Sequence, residues 1–220
     1  MVKNVWDAKS ILLKKLNLIL KKMGGEQVIV KTAREKNKTL IFVIDLINGF
    51  AKEGALKDQR INAIIPNVKD ILKNIPNSDI LFICDAHDKQ DLEMKVYPFH
   101  CLKDSKESQI VDELQEFVQN NQSNIIYKNT TNGFWDIEPR RLRDYIEFIV
   151  LGSCTDICIM QFALSLRTWL NKVRQDNDVI VYQEGVQTFD TEDHNGDMYH
   201  NFALQIMKQA GIVIKKWEEK

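Results

Sequence analysis

From Thr39 onward, continuous apolar runs alternate with segments of helical spacing. The runs are "TLIFVID" (39–45), "DILFICD" (79–85), "SNIIYK" (123–128), "IEFIVLG" (146–152), "DVIVYQ" (178–183) and "GIVIKK" (211–216). Strands without polar alternation are buried on both faces. Residues 61–75, 107–120, 138–145, 155–173 and 198–210 read as helices, with Pro139 near a first turn and Thr155 or Asp156 able to cap the helix over 155–173. Strands alternating with helices predict an α/β fold: a six-stranded, mainly parallel sheet, doubly wound with helices on both faces. No internal repeat and no low-complexity segment interrupts the pattern.

Ahead of this region, Leu12, Leu16, Ile19, Leu20 and Met23 recur at helical spacing. They predict an amphipathic helix over residues 6–23, ended by Gly24 and Gly25, which would pack on the main body or on a partner subunit. The apolar run "ILLKKLNLIL" is broken by Lys14, Lys15 and Asn17. It reads neither as a signal peptide nor as a membrane span. The expected division is a helical extension over 1–37 and one main domain over 38–220.

Composition narrows the picture. With 220 residues, 44% of them hydrophobic, the chain can bury a core without disulfides or metals to staple it. Thirty basic and thirty-one acidic residues give a net charge of −1, which leaves no basic footprint for nucleic acid. Cysteines stand at 84, 101, 154 and 158 with no C-x-x-C pair, so a reducing cytoplasm fits better than a secreted disulfide scaffold.

Candidate chemistry gathers where the strands should end. In open α/β sheets the ligand crevice lies beyond the carboxyl ends of the strands. Asp45, Asp85 and Lys128 stand at the ends of the first three runs, and the fourth leads into "GSCTDIC". Cys158 falls in the first turn of the following helix, where the helix dipole and a nearby Lys128 would favour a thiolate. Asp45 could then accept and return a proton. Cys84 and Cys101 read as inert buried thiols. His194 and His200, near a helix start, read as capping or surface residues rather than a second metal site.

These residues carry a resemblance. "VIDLINGF", "IIYKNTTNGFW" and "VLGSCTDICIMQFAL", in that order, are similar to the strand-one, lysine and nucleophile motifs of the nicotinamidase/isochorismatase-like cysteine hydrolases. The resemblance covers nearly all of 38–220. It implies Asp45 as catalytic acid, Lys128 as triad lysine and Cys158 as nucleophile. It also implies a cis peptide between Ser153 and Cys154, an oxyanion hole from the Cys154 and Cys158 N–H groups, and a ring pocket of Phe50, Tyr97 and Trp135.

The stretch "CDAHDKQDLEMKVYPFHC" (84–101) is similar to the metal-binding stretch of the nicotinamidases. That likeness implies a divalent metal held by Asp85, His87, Glu93 and His100, with Asp88 and Asp91 as close rivals of Glu93. Such ligands suit zinc, and also manganese or iron. The implied activity is conversion of nicotinamide to nicotinate and ammonia through a thioester on Cys158, in a cytoplasmic homo-oligomer. A hydrolase of another small amide or ureido compound, and a catalytically silent metal-holding protein, are the alternatives. Gly49, Tyr97, Asp104 and Ser105 depart from the commonest family wording and bear on the substrate.

Overall fold

Residues 39–218 are described by the structure, a computed structural model. The expected N-terminal helix lies outside the described residues. Six strands are present: β1 (Thr39–Ile44), β2 (Ser78–Asp85), β3 (Ile125–Lys128), β4 (Glu147–Ser153), β5 (Asp178–Gln187) and β6 (Val213–Lys215). They form one sheet in the order β3-β2-β1-β4-β5-β6, with every pairing parallel. The order reverses at the β1–β4 boundary, where such sheets open a crevice.

Alternation along the strands explains the two-sided core. Ile41 and Val43 of β1 join one apolar cluster with Val68, Ile71 and Leu72 of helix α3 (Ile65–Asn74). Leu40, Phe42 and Ile44 point the other way. They meet Phe162, Leu166 and Leu170 of α4 (Met160–Val173), in a cluster that also holds Leu204 and Met207 of α5 (Gly196–Gln209). The short helices α1 (Asn48–Ala51) and α2 (Gln59–Ala63) follow β1.

Several expectations need correction. Residues 107–120 do not form an α-helix; Asp112–Phe117 makes a three-ten turn and a second, Asn120–Gln122, begins at the end of the segment. The backbone there is committed elsewhere: Asn48 N donates to Gln109 O, Gly49 N to Glu107 O, and Val111 N to Leu46 O. The expected helix over 61–75 is divided at Ile64 into α2 and α3, with Pro66 in the first turn of α3, where its missing N–H costs nothing. Residues Pro139–Asp144 form a three-ten turn. A π turn, Thr155–Ile159, precedes α4.

β5 continues to Gln187, past a register shift at which Gly152 of β4 comes to pair with Val186. Gly152 has φ of 120°, and a Cβ there would collide with the Ile44 carbonyl. Only glycine lets β4 close on the end of β1 at this level.

Candidate active site

Asp45 follows β1 with φ of 53°, a left-handed conformation that Asp tolerates better than most residues. Its N–H donates to Ile83 O at 2.9 Å, and its Oδ1 accepts from Asp85 N at 2.9 Å. Lys128 closes β3 in register with Asp85. Its ammonium is bonded to Asp85 Oδ1, lies 2.8 Å from Asp45 Oδ2 and 4.0 Å from Cys158 Sγ. All four residues are buried. Burial works against the Lys128 charge, but the carboxylates of Asp45 and Asp85 outweigh it and hold the lysine well above its ordinary range.

Two carboxylates share this one ammonium, and their proton affinities separate. Burial and then the neighbouring Asp85 charge raise Asp45 to about 6, against the pull of Lys128. Burial also acts to raise Asp85, but Lys128, with His100 and His87 beside it, holds it well below the ordinary range. Such a split assigns different work to the two acids. Burial pushes the Cys158 thiol well up, and Lys128 offsets this only in part. The expectation of a resting thiolate is therefore corrected: desolvation outweighs the lysine. Burial likewise raises Cys84 and Cys101.

A second cluster adjoins the first through Asp85. Its Oδ2 lies 3.5 Å from His87 Nε2 and 3.8 Å from His100 Nε2. His100 Nδ1 is 2.7 Å from Pro98 O, and a carbonyl can only accept. His100 therefore carries its proton on Nδ1, which leaves an Nε2 lone pair aimed at Asp85. His87 Nδ1 faces Asp91 Oδ2 at 3.3 Å, and its buried Nε2 has no hydrogen-bond partner. Tetrahedral ligands about 2.1 Å from one ion stand about 3.4 Å apart, so the Asp85, His87 and His100 atoms fit a divalent metal. Glu93 stands at the edge of this set, with Oε2 3.8 Å from His87 Nε2 and Oε1 accepting from Thr131 N at 3.0 Å. Of its rivals, Asp91 backs His87 and Asp88 pairs with Lys103 at 2.7 Å.

Both clusters open into a cavity of about 440 Å³. Phe50 and Tyr97 line it, each ring about 6 Å from the His100 ring. Trp135 does not line it and is 74% exposed. The three-ten turn Gly133–Asp136 sends Phe134 inward onto Phe162 and Trp135 outward. Cys154 and Cys158 both line the cavity, and the Ser153–Cys154 peptide is cis.

The cavity also uses residues that sequence reasoning missed. Ile157, Phe189 and Leu56 form apolar wall. Phe189 was hidden because β5 was expected to end at residue 183; its place just past the true strand end is the signal that would have found it. His194 and His200 are neither caps nor simple surface residues. Asn195 caps α5, accepting from Met198 N at 2.9 Å, while His194 bonds Asp156 and His200 bonds Thr155.

Fold and site together define a parallel α/β protein with a buried acid, lysine and thiol on its carboxyl rim. A profile of the Isochorismatase domain matches residues 39–219, and the chain belongs to that family of hydrolases. It is 24% identical over 206 residues to Nicotinamidase 1 of Arabidopsis thaliana, covering 79% of this chain and 84% of that one. The crystal structure of a pyrazinamidase/nicotinamidase from Streptococcus mutans superposes with a TM-score of 0.69 at 22% identity, over 81% of this chain and all of that one. The pyrazinamidase of Pyrococcus horikoshii in complex with zinc gives 0.65 at 19% identity, over 82% of this chain and 99% of that one. Among the described residues, no helix is long and apolar enough to cross a membrane.

Proposed function

We propose that the chain is a metal-dependent cysteine amidohydrolase that converts nicotinamide to nicotinate and ammonia. One observation carries the reading: the Asp45–Lys128–Cys158 cluster and the Asp85–His87–His100 cluster are joined by the Lys128–Asp85 ion pair and open into one cavity. The names of the Arabidopsis and Streptococcus relatives support the substrate, and the Pyrococcus complex supports zinc.

Phe50 and Tyr97 would flank the substrate ring. Asp45, raised to about 6, is ionised at neutral pH and takes the Cys158 proton as Sγ attacks the carboxamide carbon. The C–S bond forms, and the carbonyl π pair moves to oxygen, where the Cys154 and Cys158 N–H groups would hold the charge. Asp45 returns the proton to nitrogen, the C–N bond breaks and ammonia leaves. Water, deprotonated by Asp45, then attacks the thioester; the C–S bond breaks, nicotinate departs and the thiol regains its proton. Lys128 keeps Asp85 charged throughout and offers a positive neighbour to sulfur as negative charge develops there. A divalent ion held by Asp85, His87 and His100, with Glu93 direct or through water, would supply a Lewis acid for the pyridine nitrogen.

The test is ammonia release from a panel of nicotinamide, benzamide and ureido compounds by metal-loaded protein. Nicotinamide should be cleaved and benzamide hardly at all, since benzamide leaves the ion without its nitrogen ligand. Equal rates on both would remove the ring-nitrogen contact. Release from ureido compounds alone would move the reading to another small-amide hydrolase, and no release from any would favour a silent metal-holding protein.

A further inference from the structure

His194 is held on all four sides. Its ring lies between Phe189, at 3.9 Å and 14°, and Tyr199, at 4.0 Å and 18°. Nδ1 is 3.0 Å from the Phe189 carbonyl oxygen and Nε2 is 2.8 Å from Asp156 Oδ2. A carbonyl and a carboxylate both accept, so each nitrogen of the ring faces an acceptor. Asp156 is nearly buried, and its Oδ1 has no hydrogen-bond partner, so the His194 contact is what balances its charge.

Each end of this clamp reaches the site. Asp156 lies in the π turn that carries Cys158, a turn whose Ile157 and Ile159 N–H groups both converge on Cys154 O. Phe189 forms cavity wall. A second tie runs parallel to the first, from Thr155 Oγ1 to His200 Nδ1 at 2.9 Å. We infer that His194 is a positioning residue: through Asp156 and Phe189 it locks the thiol-bearing turn to the part of the cavity wall that follows β5. The inference rests on the reading of Cys158 as the nucleophile.

The charge logic gives a test that general loss of packing would not reproduce. His194→Phe keeps a ring between Phe189 and Tyr199 but leaves Asp156 unbalanced. Its kcat on nicotinamide should fall at least tenfold with KM within about twofold, and iodoacetamide should alkylate Cys158 at least fivefold more slowly. Adding Asp156→Asn removes the stranded charge, so the double variant should recover most of both losses. A single variant within twofold of wild type in both assays, or a double variant no better than the single, overturns the proposal. Should the Phe variant not fold, His194→Gln, whose amide can donate to Asp156, takes its place and should lose threefold or less; a tenfold loss counts against the proposal. A wild type that releases no ammonia from any amide defeats the proposed function by itself, and the alkylation rates then decide the His194 inference alone.

Discussion

Lys128 puts a full positive charge in the interior, between carboxylates that would otherwise repel one another. Lys128→Met should therefore cost more than lost packing. With the ammonium gone, two buried carboxylates stand uncompensated, and removing one partner of a buried ionic group costs about 3–5 kcal/mol. Urea unfolding at neutral pH measures it; a loss under about 1 kcal/mol would mean that the acids shed their charge instead. Under the proposed mechanism Asp45 should govern the pH dependence. Its proton affinity is raised to about 6, and the chemistry needs the ionised form to receive the thiol proton. The rate should fall as pH drops through about 6, approaching tenfold per unit, and should not fall at neutral pH for this reason. A pH profile of kcat/KM with its acid limb near 4 would put another group in that role. Asp45, Lys128 and Cys158 could be singled out from sequence because each stands just past an apolar run, where a parallel sheet must expose its carboxyl ends. Trp135 could not be placed, because neighbouring residues of a three-ten turn face opposite ways and no periodicity records which faces in.

At the scale of elements, the strands were legible and the connections were not. β1 to β4 begin and end close to their apolar runs; in β1 and β4 burial on both faces leaves no polar position inside the strand, while β3, at the sheet edge, leaves Tyr127 exposed. Residues 107–120 misled because their apolar spacing suits a helix, whereas their backbone is bonded to the segment after β1. Tertiary bonding overrode a local preference there. The bend that admits Gly152 carries a sharper prediction. Gly152→Ala forces a Cβ against the Ile44 carbonyl at φ of 120° and displaces the strand end that carries Asp45. Its loss of stability should well exceed the centre of about 1 kcal/mol for point substitutions, read from thermal melting. Melting like wild type would mean that the β1 and β4 ends separate freely.

Across the whole molecule, the core lies on both faces of the sheet and the metal-fitting cluster sits at its rim. The fold should therefore survive chelation, unlike that of a zinc finger. An ion at a hundredfold over its dissociation constant adds about 2.7 kcal/mol, so removing it should lower the melting temperature by roughly 5–10 °C and leave far-UV circular dichroism unchanged. Unfolding on chelation would make the cluster a structural staple instead. The central claim, however, rests on sulfur rather than on metal. Cys158 lies in a π turn whose backbone bonds converge on Cys154 O, so alanine at 158 should leave the turn and the fold in place. The most direct measurement is ammonia release from nicotinamide by metal-loaded Cys158→Ala beside wild type, with melting curves to show that both are folded. The account predicts release by wild type and none above background from the variant; a folded variant that turns over near the wild-type rate would contradict it.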